Sequence, residues 1–242
     1  MNKSSLYISL LALVVAASSL AVALNKPETK TTLTSDEVST ILNNNPQIVV
    51  DSLQRYEQFK REESARQMAQ AFLDNIEELN NDANTPFVGN ADSNIVLVEF
   101  FDFSCGYCKR LSPIMKKVVE SNPDIKVVFK PITFVSSISK YAAQAALAAA
   151  KQGKFMPMYN AMLDAPERLT EDGINQTAQK LGLDMEKFLN DANSEETKTT
   201  IANVAELANK VQIHGVPALV LNGKPLQTVD YEGIQEAIDA LK

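Results

Sequence analysis

Two cysteines and one histidine are all that the 242 residues offer as thiolate or imidazole metal ligands, and no second Cys pair exists. A closed zinc site needs about four Cys, His or carboxylate ligands, so the chain does not read as a zinc protein and no metal is assigned. A basic excess is missing as well: 23 Lys and Arg face 30 Asp and Glu, a net charge of −7. Phosphate binding needs basic patches, which sets nucleic acid aside as a partner. Internal repeats are absent, and residues 47–80 contain neither glycine nor proline. Nothing local therefore interrupts a long helix there.

What is present begins with an uncharged apolar run over residues 6–24, after the single early charge Lys3. Ala21-Val22-Ala23 within it is a small-x-small cleavage pattern. Residues 1–23 read as a cleavable export signal, which places the mature protein in an oxidising compartment. Thr34 followed by Glu37 is a capping box that opens a short helix. Pro46, preceded by Asn45, opens the long one. Its apolar residues fall into two stripes: Val49, Leu53 and Tyr56, then Met68, Phe72, Ile76 and Leu79. Such a helix is stable in water only if the stripes are buried. Packing onto its own domain and pairing with another chain both satisfy that. Two stripes separated by a charged stretch favour pairing, through residues 34–80.

From residue 85 the pattern changes. Residues 94–103 form an apolar strand, residues 105–120 a helix, and residues 125–134 a second strand, which is a right-handed parallel unit. Helical sequence follows over residues 137–211. A hairpin with an Asn222-Gly223 turn and a last helix complete the chain. The order predicts an α/β sheet of thioredoxin type with an inserted helical domain, preceded by a helical association segment. The boundaries are 1–23 for the signal, 24–84 for the association segment and 85–242 for the catalytic domain.

Cys105 and Cys108 lie where the first strand ends and the helix begins. So short a loop removes little unfolded-state entropy when bridged, which argues against a structural staple. A redox dithiol remains. The helix start stabilises a thiolate, so Cys105, at the first turn, is expected to be exposed and to attack. Cys108, one turn in, is expected to be shielded and to resolve the mixed disulfide. Pro217 opens the hairpin strand; a cis Val216–Pro217 bond there would set the Val216 backbone beside the pair for an extended substrate. Glu99 is a charged residue within an otherwise apolar stretch of the strand, residues 95–101, suited to moving the Cys108 proton, with Lys130 on the next strand as its expected partner.

These features together, "VEFFDFSCGYC", the helical insert and "GVPALVLNGK", resemble the DsbA-type thiol–disulfide oxidoreductases of the bacterial envelope over about residues 85–242. The resemblance implies Cys105 as nucleophile, Cys108 as resolving thiol, Glu99 as buried acid and Val216–Pro217 as the cis-proline loop. Gly106, Tyr107, Val216 and Pro217 then become candidate substrate contacts. No cofactor is implied beyond the Cys105–Cys108 disulfide. The implied partners are unfolded or misoxidised proteins and a membrane redox partner, and the implied location is the periplasm. Best-known members carry Pro-His between the cysteines, where this chain has Gly106-Tyr107. His214 is a candidate modulator that could replace part of that histidine's effect. The N-terminal helices are similar to those of oligomeric relatives, including a copper-tolerance type. A homo-oligomer follows, a dimer before a trimer, and with it disulfide isomerisation beside disulfide formation. The alternatives are a dedicated oxidase and a Cu(I)-binding envelope protein, since two thiolates suit Cu(I).

Overall fold

The computed structural model describes residues 33–242. The expected signal at residues 1–23 lies outside the described residues. The described residues divide into two units, one ending at residue 59 and the other spanning residues 60–242.

In the first unit, α1 spans Ser35–Asn44 and opens with the expected capping box. Glu37 Oε2 accepts from Thr34 N at 2.8 Å, and Thr34 Oγ1 accepts from Glu37 N at 3.3 Å. Helix α2, Pro46–Asp74, starts at the expected proline. No residue of α1 is buried. Ile41, Leu42, Ile48, Leu53, Tyr56 and Phe59 are all exposed.

The second stripe behaves differently. Phe72 is 1% exposed and Leu79 fully buried, packed with Val98, Phe100, Val128, Val204 and Leu207. These residues, expected to join chains, belong to the core of the second unit. The continuous helix expected to residue 80 is also broken. It stops at Asp74, and α3 begins at Ile76 and runs to Asn81. Asn75 Nδ2 donates to the Ala71 carbonyl at 2.7 Å, so a polar side chain competes for the ladder where no glycine or proline stands.

The second unit is built on a five-stranded sheet. Strands β1 (Phe87–Gly89), β2 (Val96–Phe101), β3 (Lys126–Pro131), β4 (Ala218–Leu221) and β5 (Lys224–Pro225) stand in the order β1-β3-β2-β4-β5. Only β2 and β3 are parallel. They are joined through α4 (Gly106–Ser121), which gives the expected strand–helix–strand unit. The insert supplies α5 (Ser139–Ala150), α6 (Phe155–Leu163), α7 (Glu171–Lys180), α8 (Met185–Asn193) and α9 (Glu195–Lys210), and α10 (Tyr231–Asp239) closes the chain. This is the expected thioredoxin-type α/β fold with a helical insert. Strand β1, absent from the sequence reading, is too short to show a pattern.

Both faces of the sheet are covered, so β2 reads as one apolar run while its side chains alternate. Leu97 and Phe101 face the core made with α4, α5, α6 and α10. Val96, Val98 and Phe100 face the one made with Phe72, Leu79 and α9. The hairpin turn takes positive φ at Asn222 (46°) and Gly223 (75°), as the Asn-Gly signal implies. Asn222 does more than turn the chain. Its Oδ1 accepts from Val96 N at 2.7 Å and its Nδ2 donates to Asn94 O at 3.0 Å, tying the hairpin to β2.

Candidate active site

Residue Cys105 is the N-cap of α4 and Cys108 lies in its first turn. The chain is described with both thiols free. Cys105 is 8% exposed, against the expectation of an open sulfur. The Val216 carbonyl is the reason: Cys105 Sγ donates to it at 3.4 Å. The Val216–Pro217 bond is cis, as expected. Cys108 has no exposed surface, and its thiol is pushed far above the ordinary thiol range. Burial is the main cause, and the Cys105 thiol and the Glu99 charge add to it, while the Asp102 backbone opposes.

Three of the four expected substrate contacts, Tyr107, Val216 and Pro217, line a groove of about 350 Å³ together with Arg110, Leu111, Ile114 and Val229. Tyr107 is 69% exposed, and the Arg110 guanidinium sits 4.2 Å over its ring. Gly106 is exposed beside it and does not line the groove. His214 is exposed and makes no hydrogen bond or ion pair among the described residues.

Glu99 is fully buried at the centre of β2, opposite Phe129 on β3 and Leu219 on β4. Burial pushes its carboxyl up from 4.5 to about 8, and the Tyr159 hydroxyl opposes the rise. Tyr159 Oη lies 3.1 Å from Oε1 and 2.9 Å from Oε2. The expected Lys130 partnership is absent. Lys130 stands opposite Phe100 in the ladder, so its side chain leaves the other face of the sheet from that of Glu99. There it is fully buried and reaches Asp82 at 3.4 Å and Thr85 at 3.3 Å.

Besides Tyr159, a second residue of the site is not evident from the sequence alone. Asp102, fully buried just before the pair, accepts from Ser104 N (2.8 Å) and Ser139 Oγ (2.7 Å) on Oδ1 and from Val135 N (3.1 Å) on Oδ2. It fastens the loop that carries Cys105 to the start of the insert. A lone acid between Phe101 and Phe103 was the available signal. Among the described residues no group of three or more His, Cys, Asp or Glu is placed to hold a metal ion.

A buried acid with a raised pKa makes stability depend on pH. Between pH 4.5 and about 8 the folded protein keeps a proton on Glu99 that the unfolded chain has released. Stability therefore falls as pH rises through that window. Glu99→Gln removes the effect, so its gain in unfolding free energy over wild type should grow by about 1.4 kcal/mol per pH unit there. Urea titrations at several pH values measure this; a gain independent of pH would refute it.

Residues 96–239 match the DSBA-like thioredoxin domain family. Among solved structures, a thioredoxin-like oxidoreductase from Silicibacter pomeroyi DSS-3 is 31% identical. It superposes with a TM-score of 0.64 over 68% of this chain and 96% of that one. The catalytic domain of Proteus mirabilis ScsC is 30% identical, with a TM-score of 0.65 over 71% of this chain and 97% of its own. A linker-deleted, point-substituted ScsC is 26% identical, with a TM-score of 0.70 over 88% of this chain and 98% of that one. A curated relative, the probable disulfide bond formation protein D of Bacillus anthracis, is 27% identical over 63% of this chain and 76% of its own. The chain also matches the Na(+)/H(+) antiporter NhaA 3 of Salinispora tropica at 28% identity over 56% of its length, while spanning only 21% of the antiporter.

Proposed function

The chain belongs to the family of DSBA-like thioredoxin domains, and from that premise we propose that it is an exported, self-associating thiol–disulfide oxidoreductase that forms and isomerises protein disulfides. The observation that carries the reading is Cys105 at the start of α4 with its sulfur against the Val216 carbonyl. An extended substrate segment running beside the cis-proline loop would meet Cys105 there and set its side chains in the groove lined by Tyr107, Val216, Pro217 and Val229.

In the oxidising direction a substrate thiolate attacks the Cys105 sulfur of the Cys105–Cys108 disulfide. The S–S bond breaks, a mixed disulfide forms, and Cys108 leaves as a thiolate that takes up a proton. A second substrate thiolate attacks the mixed disulfide, releasing Cys105 and a substrate disulfide. In isomerisation the Cys105 thiolate attacks a wrong substrate disulfide and is displaced when the right one forms. The Cys108 thiol, kept neutral by burial, resolves the mixed disulfide after losing its proton to Glu99. A membrane redox partner resets the pair. The export signal at residues 1–23 supports action in the periplasm.

Association rests on the exposed apolar residues of α1 and the first half of α2. The likeness to the ScsC variant covers more of this chain than residues 60–242 make up, so it reaches into that segment. Two active sites in one assembly hold a scrambled substrate at a raised effective concentration. Ile41→Glu with Leu53→Glu places charges on residues that are 42% and 57% exposed. This variant should have the monomer mass and isomerise a scrambled multi-disulfide protein at least about tenfold more slowly. It should still exchange with a small disulfide. Monomers that isomerise like wild type would overturn the role of the helices.

A further inference from the structure

We propose that Tyr159, carried by the helical insert, positions the Glu99 carboxyl for proton transfer from Cys108. This rests on the exchange chemistry proposed above and adds to it a residue that neither the motif nor its flanks contain.

Glu99 stands in an apolar strand between apolar ladder partners, and the hydroxyl of Tyr159 is its hydrogen-bond donor. A hydroxyl has one proton, so it serves one carboxylate oxygen at a time. The other oxygen stays free to accept a proton. Tyr159 on α6 holds this acid by a hydrogen bond, and the Glu99 charge acts on the Cys108 thiol of α4, on which the Cys105 thiol acts as well, while Asp164 acts on Tyr159. Lys130 leaves the opposite face of the sheet.

The donor is fixed in place and in protonation state. Tyr159 is fully buried, and its ring packs against Phe101 and Phe129, each at 5.1 Å, and Phe155 at 5.8 Å. Burial, then the Glu99 charge, holds the hydroxyl well above its ordinary range, so it does not ionise during turnover. A Phe would fill this box as well as a Tyr. The hydroxyl has one evident use, which is to favour the charged form of Glu99 and so keep part of it basic near neutral pH.

The step balances. Cys108 gives its proton to Glu99, and its thiolate attacks the Cys105 sulfur of a mixed disulfide. The Cys105–Cys108 bond forms and the substrate leaves as a thiolate. The dithiol has lost two electrons and the incoming disulfide has gained them, and Glu99 later releases the proton to water.

The test uses the reduced full chain and dithiobis(nitrobenzoate), an aromatic disulfide. A first nitrothiobenzoate is released by Cys105 and a second by Cys108, the latter independent of reagent concentration. In wild type the second phase should accelerate through a midpoint near 8, set by Glu99. Tyr159→Phe should move that midpoint about one unit to higher pH, about tenfold in rate below it, and leave the first phase alone. Glu99→Gln should lose the midpoint, and adding Tyr159→Phe to it should change nothing more. An infrared titration of the buried carboxylic acid in the unreacted protein should show the same displacement, independently of turnover. An unmoved midpoint, equal slowing of both phases, or additive effects in the double variant would overturn the proposal. Absence of the second phase in wild type would overturn the exchange reading with it.

Discussion

Cys108→Ser should turn the protein into a trap that accumulates a mixed disulfide through Cys105, while Cys105→Ser should form no adduct and turn over no substrate. The asymmetry follows from burial. Cys105 sits at the N-cap of α4 against the Val216 carbonyl, with 8% of its surface open, whereas Cys108 has none. A substrate disulfide should therefore reach only the first sulfur. Once the mixed disulfide exists, Cys108 is one helical turn away, and its attack is intramolecular. An external thiol at millimolar concentration cannot match that proximity, so the adduct should live about a thousandfold longer or more in Cys108→Ser. Mass spectrometry of the quenched reaction with a scrambled protein identifies the linked residue. Adducts through Cys108 in the Cys105→Ser protein would reverse the assignment.

Short-range chemistry made much of the site legible. A Cys pair between a strand and a helix, the Thr34–Glu37 box, and the Asn222-Gly223 turn each act through neighbouring residues, and each stands where its local pattern implies. What stayed hidden depends on register and on contacts between distant segments. Lys130 misses Glu99 because the parallel ladder sets Glu99 against Phe129, and one step along a strand changes the face. Period alone does not give that register. Tyr159 is an unremarkable aromatic in an apolar helix until the insert folds over the sheet and brings it to Glu99. Cys105 is covered because Val216, more than a hundred residues later, returns to its side. The two stripes of residues 46–80 share the same amphipathic spacing, yet one is spent on the sheet and the other stays open. Periodicity reports that a face must be buried, not what will bury it.

That division of the stripes predicts opposite fates for two truncations. Residues 60–242 should fold, have the monomer mass and keep dithiol exchange, because this segment is a compact unit with its own core. Residues 85–242 should not melt cooperatively. That cut removes Phe72 and Leu79 from beneath Val98, Phe100 and Val128. Losing such side chains costs about 3–5 kcal/mol for a Phe and about 2–5 for a Leu. It also removes Asp82 from Lys130, which has no exposed surface, and Asn81 from the Lys126 ammonium at 2.9 Å. Stripping the partner from a buried charge costs about 3–5 kcal/mol more. The sum approaches the whole stability of a typical domain, about 5–15 kcal/mol. Loss of isomerisation by the shorter fragment would therefore report unfolding, and only the cut at residue 60 isolates the contribution of association. Calorimetry on both fragments separates the cases: a cooperative transition for residues 85–242 within a few degrees of that for residues 60–242 would mean that Phe72, Leu79 and Asp82 are dispensable to the catalytic unit.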